Sequence, residues 1–173
     1  HYGVTEESMG CPVRAEMETE TIGKTPKGMD VYVAKVALDS DGILLLNRIK
    51  PHTDYKGPIE SGLTKISAIG LGKLDGATSY HSRIYDLGLG GAVRDAAEKI
   101  FGAGDIILGG LGIIENAYHE TAKLTAMPAA TLFKEEEKLL KEAFRLMGKL
   151  PFSECDVLLC DRIGKNISGT GMD

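Results

Sequence analysis

Between positions 47 and 81 the chain gathers side chains that can do chemistry: Lys50, His52, Asp54, Glu60, Ser61, Lys65 and His81, interleaved with glycines. The group follows an apolar run at 43–46 that reads as a buried strand. Ligands in open α/β sheets sit beyond the carboxyl ends of strands, and functional residues collect on such loops. His52 follows Pro51, which fixes the path of the chain. An imidazole there can take or give a proton near neutrality, the alternative being a solvated loop histidine. Lys65 lies on an apolar-patterned helix beside Leu63 and Ile66. A desolvated amine there is a nucleophile toward carbonyl or thiocarbonyl carbon, whereas a snorkelling lysine would keep its ammonium in water. His81 is a candidate metal ligand in a segment read as irregular. HExxH and CxxC patterns are missing from the sequence, which argues against a conventional metal-hydrolase site.

Two further groups are chemically suggestive. In the glycine-rich loop 164–171, backbone N–H groups together with Lys165 and Ser168 can hold a phosphate or carboxylate. The pattern matches neither the Walker loop nor GxGxxG, and glycines that only make turns are the alternative. Glu115, Asn116, Tyr118 and His119 end a glycine-broken strand. In a parallel sheet they fall on the same edge as His52, either as substrate contacts or as solvated loop residues.

These groups need a scaffold. With 43% hydrophobic and 26% charged residues the chain has the composition of a folded domain rather than a disordered one. A net charge of −5 with no basic face argues against a nucleic-acid partner, and no apolar run approaches membrane-spanning length. Cys11, Cys155 and Cys160 are odd in number and scattered. They suit reduced thiols in a cytoplasm, with Cys155 and Cys160 buried beside an apolar strand, and their spacing does not fit an iron–sulfur cluster.

Alternating charged and apolar residues at 16–22, turn chemistry at 23–28 and an apolar run at 29–33 predict a small N-terminal hairpin. Helical spacing predicts helices from Ser61 to the 70–72 glycines with Ser61 as cap, over 88–102, and over 133–147. In the last of these, Glu136, Leu139, Leu140, Ala143, Phe144 and Met147 lie on or beside one face. Strands are predicted at 105–114 and 156–161. The order of elements predicts an α/β fold with a mostly parallel central sheet flanked by helices.

Lys50-Pro51-His52, then Glu60-Ser-Gly-Leu-Thr-Lys65, then His81 resembles the nickel-dependent lactate racemase family (LarA-like proteins), with sixteen residues from Lys65 to His81. The phrases at 3–11, 47–73 and 163–173 extend the likeness over nearly the whole chain and look like uncharacterised homologues more than the lactate enzymes themselves. The resemblance implies a nickel-pincer nucleotide cofactor (nickel with a pyridinium bis-thiocarboxylate mononucleotide). It makes Lys65 the covalent anchor, His81 the nickel ligand and His52 an acid/base acting on the substrate hydroxyl. The implied reaction is racemisation or epimerisation of a small 2-hydroxy acid by hydride transfer. The spacing from the Pro-His pair to the lysine is a few residues longer than in the lactate enzymes.

On this reading residues 1–150 are the central part of an N-terminal racemase-like domain and 151–173 begin a C-terminal α/β domain. The chain is then an internal fragment, inert when isolated, because the family's second acid/base histidine and phosphate-binding residues lie upstream. An oligomer is compatible with the sequence. The competing reading is a non-enzymatic anion- or metabolite-binding α/β module built on the 164–171 loop and the sheet edge.

Overall fold

The computed structural model describes residues 3–53 and 55–162. The chain opens with a single helical turn, α1 (Glu6–Met9). Thr5 and Ser8 close a reciprocal cap there, and Gly10 ends the turn in the left-handed region. The predicted hairpin follows as β1 (Thr19–Lys24) and β2 (Asp30–Ala34), paired antiparallel with Thr21 opposite Tyr32. Val31 and Val33 turn inward and are fully buried, while β1 is mostly exposed, as its charged residues require. One turn of helix, α2 (Lys35–Leu38), leads into β3 (Ile43–Arg48).

The central sheet has three strands in the order β3-β4-β5, where β4 is Ile107–Glu115 and β5 is Thr121–Pro128. β3 and β4 are parallel, with Leu45 beside Gly110, and β4 and β5 are antiparallel, with Gly110 beside Met127. The expectation of a mostly parallel sheet is therefore corrected to a mixed one. One crossover gives the parallel pair, and a tight turn after β4 gives the antiparallel pair. That turn is the 115–120 segment. Asn116 Oδ1 accepts the N–H groups of Tyr118 and Glu120 at 2.9 and 3.1 Å, and His119 adopts a positive φ of 62°.

The crossover from β3 to β4 carries α3 (Leu63–Lys65), a wide π-type turn (Ile66–Gly70), α4 (Leu71–His81) and α5 (Ile84–Phe101). The 70–72 glycines do not end the helix as predicted. The break comes at Lys73 (φ 51°, ψ −144°), and Tyr80, fully buried, packs its ring against Gly72 and Gly76. A Cβ at either glycine would lie 3.2 Å from Tyr80 atoms, so both are needed for the aromatic ring to seat. α5 buries Ala92, Val93, Ala96, Ala97 and Ile100, the stripe its spacing predicts. After a 3₁₀ turn (Ala129–Thr131), α6 (Leu132–Leu146) buries Leu132, Glu136, Leu139, Leu140 and Ala143. It packs beside α5, with Phe101 and Phe133 rings 4.8 Å apart and the Arg94 guanidinium 4.6 Å above Phe133.

The helices cover one face of the sheet. Leu45, Ile114 and Met127 face them and are buried, with Ile49 just beyond β3 also buried in that core. Leu44, Leu46, Leu108 and Leu124 are 57–68% exposed, so β3 is half-open rather than the buried strand its run of leucines suggests. Residues 151–162 contain no helix or strand, which corrects the strand expected at 156–161. Leu159 is 89% exposed, and Cys11, Cys155 and Cys160 are all exposed, against the burial expected of the last two. An apolar run forms a strand only when a sheet edge is there to pair with it, and residues 151–162 pair with none of the described strands. No helix among the described residues is long and apolar enough to cross a membrane.

Candidate functional site

β3 delivers the chain to the site. Just past its end, Lys50 and Ser61 pair across an antiparallel bridge, exchanging N–H···O bonds of 2.9 and 3.1 Å that close the intervening loop at its base. Because β3 and β4 are parallel, the 115–120 turn lies on the same sheet edge, tied to β3 by an ion pair between Arg48 and Glu115 at 2.8 Å. Tyr118, at the tip of that turn, is 83% exposed.

Inside the loop, Glu60 is the organising residue. It is 2% exposed, and its carboxylate accepts the backbone N–H of His52 at 2.6 Å and of Gly57 at 3.2 Å. Its own carbonyl accepts the Tyr55 hydroxyl at 2.8 Å. The Tyr55 ring stacks on the His52 imidazole, 4.3 Å between centroids with the planes 30° apart. Tyr55 fits against α5 because position 90 is glycine, where a Cβ would lie 3.1 Å from the tyrosine ring. Burial, followed by the Glu60 and Glu136 carboxylates, pushes the Tyr55 hydroxyl well above its ordinary range, so it stays a hydrogen-bond donor. His52 is thus half-buried on a loop whose backbone and aromatic backing are both fixed.

Lys65 ends the first helical turn after this loop. That turn is seated on the sheet through glycine gaps in β4. A Cβ at Gly110 would lie 2.7 Å from Leu63 Cδ1, and one at Gly112 would lie 2.6 Å from Ile49 Cδ1. The close approach that glycines inside a strand signal is therefore made here by Leu63, Ile49 and Met127 side chains. The N-terminus of the turn is not capped by Ser61. No side chain of the preceding residue caps it either, and the cap arrives from α6. Glu136, 1% exposed, accepts both the N–H and the hydroxyl of Thr64 through Oε2, at 2.9 and 2.6 Å. A carboxylate at a helix start satisfies orphan N–H groups and complements the helix dipole. Its other oxygen, Oε1, is buried against Gly62 with no hydrogen-bond partner. Burial pushes the Glu136 carboxyl above the usual carboxylate range, opposed by the Thr64 hydrogen bonds, the Leu63 backbone N–H and the Arg94 guanidinium.

Lys65 itself is half-buried. His81 is the last residue of α4 and is exposed, so it stands at a helix end rather than in the irregular segment expected. Sixteen residues of unbroken helix would carry it about 24 Å from Lys65, but the break at Lys73 redirects the second half of α4 across the hairpin. There Ser79 donates to the Asp30 carbonyl at 2.7 Å, and Thr19 bonds Asp75. Among the described residues no group of three or more His, Cys, Asp or Glu is placed to hold a metal ion. The protein donors on offer are single ones: the Lys65 amine and the His81 imidazole. Lys165 and Ser168, with the whole 164–171 loop, lie outside the described residues, as does Asp54.

Sequence reasoning did not single out Tyr55, and it placed Glu136 only as one member of a helix face. The signal for the latter was visible, since a carboxylate within a stripe of Leu139, Leu140 and Ala143 must find a buried partner. No signal in the sequence paired it with Thr64, seventy-two positions away.

No family model and no curated protein matches the chain. Among solved structures, the lactate racemase apoprotein from Thermoanaerobacterium thermosaccharolyticum superposes with a TM-score of 0.57 at 16% sequence identity, over 70% of this chain. The chain spans 30% of the length of that racemase. The likeness is one of fold.

Proposed function

We propose that this chain is the central part of a racemase or epimerase of small 2-hydroxy acids that uses a nickel-pincer nucleotide. The observation that carries the reading is the helix that starts at the Glu136-capped turn, bears Lys65 on that turn, breaks at Lys73 and ends at His81, within a fold similar to that of a lactate racemase.

The donor set fits such a group. A metal held by protein alone needs three or four side chains, whereas a metal already carried by a cofactor would need only one further protein donor. Lys65 would hold the cofactor covalently through its amine, and His81 would supply the imidazole. When bound, the cofactor supplies a hydride acceptor and donor next to the substrate carbon. The protein's own work is at the hydroxyl. His52 would take the proton from the substrate hydroxyl and return it to the same oxygen. Its stacking on Tyr55 and the Glu60-held backbone fix the direction from which the imidazole approaches. The isolated 173-residue chain is proposed to be inert.

The test is a chirality-resolved assay of the complete polypeptide, with and without nickel-loaded cofactor, on a panel of enantiopure 2-hydroxy acids. Cofactor-dependent interconversion of at least one pair, abolished in Lys65→Ala and reduced in His52→Ala, is expected. Failure to interconvert any pair under full loading overturns the proposal.

A further inference from the structure

Glu60 is one of the few charged side chains removed from water among the described residues, and the proposed chemistry gives it no proton to move. Its two oxygens are committed to the N–H groups of His52 and Gly57, with the Lys56 ammonium 3.8 Å away at the surface. A buried carboxylate is costly to desolvate, and here the compensation is a pair of backbone donors on a loop with no regular structure of its own. One of those donors is the N–H of the candidate acid/base residue, at 2.6 Å. The Glu60 carbonyl simultaneously holds Tyr55, whose ring backs the imidazole. A single residue therefore sets both the main-chain position of His52 and the surface its ring rests on.

We infer that Glu60 is a positioning residue that fixes the orientation of the His52 imidazole, an assignment resting on the reading of His52 as the acid/base group. The glutamine variant separates charge and acceptor count from shape. Glu60→Gln keeps the volume but has one acceptor oxygen, so its NH₂ must face either the His52 or the Gly57 N–H. The loop loses one anchor and gains a donor–donor clash. Glu60→Asp keeps the charge but is one methylene short of spanning both donors, and serves as the second variant if the glutamine substitution prevents folding.

The test is NMR on the 173-residue chain, together with kinetics on the complete cofactor-loaded protein. In the wild type the His52 ring protons are shifted upfield by the Tyr55 ring current. In either variant that shift collapses, and the His52 and Gly57 amides exchange at least about 10-fold faster while core amides keep their protection. In the loaded protein kcat falls about 100-fold, as for a misplaced catalytic group, with KM within about 3-fold. Attachment at Lys65 is retained. An unchanged ring shift and unchanged His52 amide exchange overturn the inference, and so does full kcat in a variant whose ring shift has collapsed. If the wild type racemises nothing, the proposed function fails, and the ring shift alone decides whether Glu60 positions His52.

Discussion

Replacing Gly62 by alanine probes the joint between the site and α6. Gly62 has φ 174°, extended backbone open to any residue, so the substitution carries no conformational strain of its own. Space is the obstacle, because an added Cβ would fall 1.8 Å from Glu136 Oε1 and 2.8 Å from its Cδ. Both atoms are on a side chain that is 1% exposed and tied to Thr64, so the carboxylate must withdraw by about 1.5 Å to reach ordinary van der Waals contact. Overpacking of this kind costs about 1–3 kcal/mol. Pulling Oε2 away from the Thr64 N–H and hydroxyl adds about 1–3 kcal/mol for buried donors left unpaired. Loss of glycine entropy in the unfolded chain offsets about 0.4–1 kcal/mol. The net expectation is a destabilisation of about 3 kcal/mol. With Glu136→Ala already in place the carboxylate is gone, and Gly62→Ala should then cost less than about 0.5 kcal/mol or stabilise. Equilibrium urea unfolding of the four proteins, followed by circular dichroism with the slopes compared, closes the double-mutant cycle at a coupling of about 2–3 kcal/mol. An equal cost in both backgrounds, or a single-variant cost below about 0.5 kcal/mol, refutes the packing argument.

Other contacts make their own tests. The Glu136 carboxyl is raised in the folded state, so its contribution to stability is greatest below the unfolded carboxyl value and is lost as pH rises through the folded one. Glu136→Gln should therefore gain on the wild type in thermal melts as pH rises above the ordinary carboxylate range, and a difference that does not change with pH contradicts the assignment. Gly110→Ala puts a Cβ 2.9 Å from the Leu45 carbonyl, which is backbone and cannot give way, and 2.7 Å from Leu63. Its expected cost is about 2–3 kcal/mol in the same urea assay, and a neutral result would mean that the strand and the Lys65 turn do not meet there. All three cysteines are exposed, so a thiol reagent such as DTNB should titrate three groups without denaturant, and fewer than three would restore the burial expected from sequence.

Hydrophobic periodicity made α5, α6, the hairpin and the 107–115 strand legible, because in each the buried side chains recur at the period of their own element. The β5 strand, Thr-Ala-Lys-Leu-Thr-Ala-Met-Pro, was not legible. Among its residues only Met127 is buried, and pairing with β4 rather than its own side chains makes it a strand. The apolar run at 157–159 misleads in the opposite direction, since a local pattern carries no information about whether a partner strand is present. Gly70 and Gly72 read as a helix stop because the role of Gly72 is to seat Tyr80, eight residues later. His52, Lys65 and His81 are the candidates that residue type and the family resemblance offer for the site. What holds the first two could not be read from either: Glu60 reaches back eight residues, and Glu136 arrives from another helix. A Ser before an apolar run is the better local cap, but a long-range carboxylate took the place.

The most direct measurement is peptide mass mapping of the protein after co-expression with the enzymes that build and load the nickel-pincer nucleotide. An added mass confined to the peptide containing Lys65, and absent from Lys65→Ala, is the expected result. An unmodified Lys65 in a preparation that still interconverts hydroxy-acid enantiomers would contradict it.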